Sequence, residues 1–184
     1  LADANGNLLT ASGGTVALSS TGSATISAVT NNNNGTYTAT VTNTVAESVT
    51  ISGTLDGAAI TDTAAITFTV GAADPTNSNT TLVAAPTSVV ADGSTTSTVT
   101  VRLADANGNL LTASGGTVAL SSTGSATISA VTNNNNGTYT ATVTNTVAES
   151  VTISGTLDGA AITDTAAITF TVGAASPTNA NTTL

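Results

Sequence analysis

A chain of 184 residues with ten acidic side chains, a single arginine and no histidine or cysteine carries a formal charge of -9. It has nothing with which to grip phosphate, which excludes nucleic-acid binding, and without cysteine it has neither a disulfide framework nor a thiolate metal site. No apolar run approaches the roughly 18 residues of a membrane-spanning helix, and no basic-then-apolar leader opens the sequence, so this segment is expected to make no membrane contact.

Hydrophobic residues make up 40% of the chain but aromatics only 2%. The apolar share is mainly Val, Ala, Leu and Ile set among Thr and Ser, a composition that favours extended chain over helix. Residues 1–82 return at 103–184 with two changes, Asp74 to Ser176 and Ser78 to Ala180, a period of 102 residues. A unit of that size can bury its own core, unlike the short repeats that must stack into solenoids.

Taken in order, residues 1–73 are expected to form a β-sandwich that lacks its first strands, because nothing precedes Leu1 to match 79–102. The expectation is a window on a longer array rather than strand donation by another chain, since the closing stretch 176–184 is too short to donate two strands. Residues 74–78 read as a linker stiffened by Pro75.

A complete unit, 79–175, follows. "NTTLVAAPTSVVADG" (79–93) reads as a first strand split at Pro86. "STVTVRLAD" (97–105) alternates, with Val99, Val101 and Leu103 on one face, and Asp105-Ala106-Asn107-Gly108 is a turn. "GTVALSS" (116–122) and "ATISAV" (126–131) offer Val118, Leu120, Ile128 and Val131 to the core. After the Asn133–Gly137 loop, "TYTATVT" (138–144) places Tyr139, Ala141 and Val143 on one side. "SVTISGTL" (150–157) aligns Val151, Ile153 and Leu157, with Gly155 as a bulge or a point of close approach. Asp158-Gly159 makes a turn, and "AAITFTV" (166–172) closes the unit with Ile168, Phe170 and Val172. Residues 176–184 read as a second linker and the start of a further repeat. About seven short strands per unit, separated by turn residues, predict an all-β chain of tandem β-sandwich domains. Tyr139 and Phe170 are assigned to the core, the tyrosine hydroxyl reaching backbone at the rim.

The stretch "LVAAPTSVVADGSTTSTVTVRLADANGNLLTASGGTVALSS", followed by "NNNGTYTATVT", resembles the bacterial immunoglobulin-like domains of invasin- and intimin-type surface adhesins. Pro86, Ala91-Asp92-Gly93, Asp105-Ala106-Asn107-Gly108 and Gly137-Thr138-Tyr139 carry the resemblance. It implies immunoglobulin-like sandwiches in a non-catalytic stalk at the bacterial cell surface. The implied partners are neighbouring repeats, with a receptor contacted elsewhere in the protein and an outer-membrane anchor outside this chain. A glycan- or protein-binding module, using the loops around 105–112 or 133–137, and a phage tail-fibre domain are the alternatives. Self-assembly is a weaker option.

Enzymatic catalysis lacks its usual groups here: no histidine or cysteine is present, and the serines and threonines have no neighbouring base. Calcium is the one cofactor the sequence raises, because it takes six to eight oxygens and Asp and Asn gather at turns. The candidate ligands are Asp105, Asn107, Asp158 and Asp74, for which ordinary turn chemistry is the competing reading. The Asn-x-Thr triplets and the Thr-x-Thr runs fit chance and an outward β face, rather than glycosylation or ice binding.

Overall fold

The computed structural model describes residues 1–179, 181 and 182 and divides into two compact units, Leu1–Val70 and Gly71–Leu184. All the regular structure in the described residues is β. Of the second linker and start of a further repeat expected at 176–184, residues 180, 183 and 184 lie outside those described.

Unit 1 holds β1 (Val16–Ser20), β2 (Thr25–Ile26), β3 (Thr30–Asn31), β4 (Tyr37–Thr38), β5 (Val41–Thr42), β6 (Ser48–Leu55), β7 (Ala58–Ala59) and β8 (Ala64–Thr67). Strands β1, β6, β7 and β8 make a four-stranded antiparallel sheet centred on β6, while β2–β5 and β3–β4 are separate two-stranded ladders.

Unit 2 holds β9 (Thr81–Ala85), β10 (Ser88–Val90), β11 (Ser97–Arg102), β12 (Val118–Ser122), β13 (Thr127–Ile128), β14 (Thr132–Asn133), β15 (Thr138–Thr144), β16 (Ser150–Leu157), β17 (Ala160–Ala161) and β18 (Ala166–Thr171). One five-stranded sheet runs β13-β15-β11-β9 with β14 also on β15. The other runs β10-β18-β16-β12 with β17 also on β16. The split expected at Pro86 is real: β9 pairs antiparallel with β11, and after the cis Ala85-Pro86 bond β10 pairs parallel with β18 in the other sheet.

Period-two alternation sets the core of unit 2. Val99, Val101, Leu103, Tyr139, Ala141 and Val143 are buried from one sheet, and Val89, Val151, Ile153, Leu157, Ile168 and Phe170 from the other. Gly155 lets the two sheets meet. A Cβ there would stand 3.2 Å from Leu120 Cδ2 and 3.3 Å from Leu82 Cδ1. The β12–β16 register runs unbroken through Leu120↔Gly155, so the glycine marks a close approach and not a bulge. Asp158 (φ 48°) and Gly159 (φ 86°) turn β16 into β17, both left-handed as a two-residue hairpin requires. Val172 departs from expectation. β18 ends at Thr171, one residue short, and Val172 is 81% exposed because no strand continues beneath it.

The repeat allows a comparison at constant sequence. "TYTATVT" is one seven-residue strand, β15, where β11 pairs along it, but in unit 1 the same residues make only the two-residue β4 and β5. Tyr139, Ala141 and Val143 are buried, and their copies Tyr37, Ala39 and Val41 are not. Local sequence sets the alternation, and the neighbouring strand decides whether it becomes continuous sheet.

Candidate functional site: the Asp105 turn and the segment bound to it

As β11 runs out at Arg102, Leu103 and Ala104 stay fully buried and Asp105-Ala106-Asn107-Gly108 turns the chain. The Asp105 carboxylate organises this turn. Its Oδ1 accepts the main-chain N–H groups of Asn107 and Asn109, each at 2.9 Å, and its Oδ2 accepts Asn109 Nδ2 at 2.9 Å. Gly108 closes the turn with its N–H on Asp105 O at 2.9 Å and φ of 85°. A further donor arrives from 34 residues away, the Gly71 N–H, 2.9 Å from Oδ2.

That bond begins a longer attachment of residues 71–80. Ala73 forms a β-bridge with Asp105, and Asp74 N donates to Ala104 O at 2.8 Å. Thr80, 1% exposed, donates its hydroxyl to Asp74 O at 2.7 Å and accepts the Ala104 N–H at 3.0 Å. Asn77 Nδ2 and Asn79 Nδ2 bond Ala106 O and Gly108 O at 3.2 and 2.9 Å. Pro75 O accepts the Thr163 N–H at 3.2 Å, and Leu82 N donates to Asp164 Oδ2 at 2.9 Å. This stretch has no apolar alternation, yet side-chain and main-chain hydrogen bonds fix it to unit 2.

Electrostatics follow the donors. The Asn109 side chain, then the Gly71 N–H, hold the Asp105 carboxyl well below the usual carboxylate range, at about 2. Hydrogen bonds to an ionised carboxylate favour its charged form. Thr76 does the same for Asp74, through its hydroxyl at 2.7 Å and its N–H at 2.8 Å. The copy of the turn at Asp3 accepts the same local bonds from Asn5 N, Asn7 N and Asn7 Nδ2, each at 2.9 Å, while its carboxylate stays exposed. The turn is therefore encoded locally. Segment 71–80 adds the burial, since Asp105 is only 2% exposed.

Of the four oxygen-bearing residues singled out for calcium, Asp74 and Asp105 lie on neighbouring stretches joined by the Ala73–Asp105 bridge and the Asp74 N–Ala104 O bond, but their carboxylates serve different donors. Asn107 is exposed and contributes its N–H. Asp158 lies on the β16–β17 turn, where its Oδ1 accepts the Thr117 N–H at 2.8 Å. Among the described residues no three metal-ligating side chains cluster. A cation at Asp105 would have to displace N–H donors already in place. Sequence reasoning missed Gly71, Thr80 and Asn109. The only signal for Asn109 was its four-residue spacing from Asp105, and nothing local marks the other two.

The tyrosine reading holds in detail. Tyr139 OH donates to Gly116 O at 2.7 Å and accepts the Gly115 N–H at 3.0 Å, pinning the loop before β12 to β15. Gly116, Val131, Asn133 and Tyr139 line a shallow cleft beside it.

Residues 1–71 and 74–173 match the family described as invasin, domain 3. The chain belongs to the invasin domain 3 family. It is similar in structure to invasin, a bacterial integrin-binding protein, at 27% identity and a TM-score of 0.60 over 92% of this chain and 34% of that one. The Escherichia coli adhesin FdeC matches at 29% identity and TM-score 0.64 over 94% of this chain and 56% of that one. InvD of Yersinia pseudotuberculosis matches at 31% and 0.59, over 99% and 53%. The chain thus spans between about a third and just over half of these structures. No curated protein matches it. The family is the one the sequence motifs resembled.

Proposed function

We propose that the chain is a stretch of tandem immunoglobulin-like β-sandwich repeats that act as a non-catalytic spacer in a bacterial surface adhesin, outside the cell. Unit 2 supports the sandwich reading through its two five-stranded sheets and the contact of Leu82 with Gly155 across them. The observation that carries the spacer reading is the bonding of residues 71–80. Phe68 N is still bonded to Glu47 O in unit 1, and by Gly71 the chain is bonded to Asp105 of unit 2. A repeat whose leading residues are fixed to its own body leaves little slack chain before it, which is what an extending element needs. Receptor contact and anchoring belong to other parts of the parent protein. The partners of this segment are neighbouring repeats.

The test is an exchange. Replacing these residues within the parent adhesin by an unrelated sandwich pair of equal length leaves adhesion intact if they supply length alone. Loss of adhesion with surface display unchanged, or saturable binding of a glycan or protein to the purified chain, would make it a binding module instead.

A further inference from the structure

We propose that the attachment of residues 71–82 to the body of unit 2 also forms between molecules: residues 173–184 of one copy dock on the Asp3 turn of unit 1 in a second copy, linking chains head to tail. This goes beyond the spacer reading and does not depend on it. The two halves of the attachment recur at opposite ends of the sequence, the receiving turn at 1–9 and the inserting segment at 173–184. What covers the receiving face is visible in unit 2, where the corresponding residues are already joined by the Gly71 N–Asp105 Oδ2 and Asp74 N–Ala104 O bonds. The segment supplies the docking stretch alone, and not the strands corresponding to β9 and β11.

Both halves keep their docked form while apart. In the receiving turn Leu9 N donates to Leu1 O at 3.0 Å and Asp3 N to Asn7 O at 2.9 Å, matching Leu111 N to Leu103 O and Asp105 N to Asn109 O. With Leu1 and Asp3 bonded inward across the Ala2–Leu8 bridge, the N–H and C=O of Ala2 point outward. Those are the groups with which Ala104 binds Thr80 and Asp74. In the inserting segment the Thr182 hydroxyl donates to Ser176 O at 2.7 Å, and Thr182 N to Asn179 O and Asn181 N to Asn179 Oδ1 at 2.9 Å each. Thr80, Asn79, Asn77 and Asp74 make the same three bonds at the same lengths. Ser176 replaces Asp74 without loss here, because only the main-chain oxygen is used. Halves already in their bound shape give up little conformational freedom on meeting.

Burial shows what the receiving face lacks. Ala104, Asp105 and Ile162 are buried in unit 2, whereas their copies Ala2 and Asp3 are exposed and Ile60 is half-buried. Leu18, Ile51, Gly53 and Ile60 line a groove on unit 1. In unit 2 the matching Gly155 lies beneath Leu82, with Leu120 and Ile162 beside it, and Leu184 is by sequence the copy of Leu82. Charge agrees with this choice of occupant. Residues 173–184 contain no acidic side chain, Ser176 standing where Asp74 does, while the receiving face carries Asp3 and Asp62. A neutral segment meets these carboxylates without the like-charge repulsion that an acidic one would face. Each copy then offers one segment and one turn, a heterologous contact that propagates as an open row of molecules.

The test is sedimentation of the full chain at rising concentration. One short segment makes a contact well below the roughly 1,200 Å² of a standard interface, so a Kd of about 0.1–1 mM is expected, with the average mass at least doubling between about 10 μM and about 1 mM. Ala2→Pro removes the outward N–H and leaves the Leu1–Leu9 and Asp3–Asn7 bonds in place; a chain stopped after Ala175 removes the segment. Each alone is expected to stay monomeric at the higher concentration. Mixed, they should give 1:1 heterodimers and nothing longer, since one keeps only the segment and the other only the turn. A second measurement covers misfolding of the proline variant. A synthetic peptide of residues 173–184, added to the shortened chain, should shift the amide resonances of Ala2, Asp3 and Thr61 and leave that of Ala104 unmoved. Association that persists without residues 176–184, a mixture that forms no heterodimer, or a peptide that leaves Ala2 unmoved would overturn the proposal. So would docking of the segment that is independent of concentration, which would mean closure within one molecule. The spacer reading would survive each of these results, since it stands or falls on the exchange experiment.

Discussion

Tyr139→Phe removes one oxygen and leaves the ring in place, which makes its consequence calculable. The hydroxyl donates to Gly116 O at 2.7 Å and accepts from Gly115 N at 3.0 Å, and the tyrosine is 2% exposed. Losing it strands one carbonyl and one N–H on half-buried glycines. An unmet buried group costs about 1–3 kcal/mol, reduced where water can enter, so a loss of about 1–2 kcal/mol is expected. For a domain of about 100 residues that lowers the melting temperature of unit 2 by about 5–15 °C. The repeat supplies the control. Tyr37 OH makes the same bonds, to Gly14 O at 2.6 Å and from Gly13 N at 3.1 Å, but Tyr37 is only half-buried, so water can replace its hydroxyl. Calorimetry of the full chain carrying each variant should show a clear drop for Tyr139→Phe in the unit 2 transition and a smaller one for Tyr37→Phe in that of unit 1. Equal drops, or none for Tyr139→Phe, would refute the link between burial and the worth of these bonds.

Acid should weaken unit 2 in a defined window. The Asp105 carboxyl lies at about 2 in the folded chain against 3.8 for the free group, so its contribution is complete above about pH 4 and lost as pH falls through 2. Asp105→Asn should flatten that part of a melting-temperature profile more than Asp3→Asn does. Thr80→Val keeps the shape of the side chain but leaves Asp74 O and Ala104 N without their partner. It should cost about 2–3 kcal/mol in denaturant unfolding and speed exchange of the Ala104 amide. Calcium at millimolar concentration, compared with chelator, should leave both melting transitions in place, because N–H donors already occupy the Asp105 carboxylate. A rise of several degrees would support Asp105, Asn107, Asp158 and Asp74 as ligands.

Much of the strand pattern was legible because alternation at period two and turn residues are local signals. Val99, Val101 and Leu103, the split at Pro86 and the Asp158-Gly159 turn all follow from a few neighbouring letters. What stayed hidden depends on partners far along the chain. Identical residues form continuous β15 in one unit and the fragments β4 and β5 in the other, so no local reading could assign both. Val172 continues the alternation of β18 yet lies outside it, because strand length is set by pairing. The Asp105 turn could be read, and its burial could not, since the covering residues Gly71 and Thr80 look like any linker.

The most direct measurement is amide hydrogen exchange across residues 69–80, resolved residue by residue. If this segment is fixed to unit 2 as described, Gly71 and Asp74, whose N–H groups bond Asp105 Oδ2 and Ala104 O, will be protected by many orders of magnitude and will open with the core amides of β11. Exchange of both at the rate of an unstructured peptide, with β11 still protected, would mean a free linker and would contradict the account.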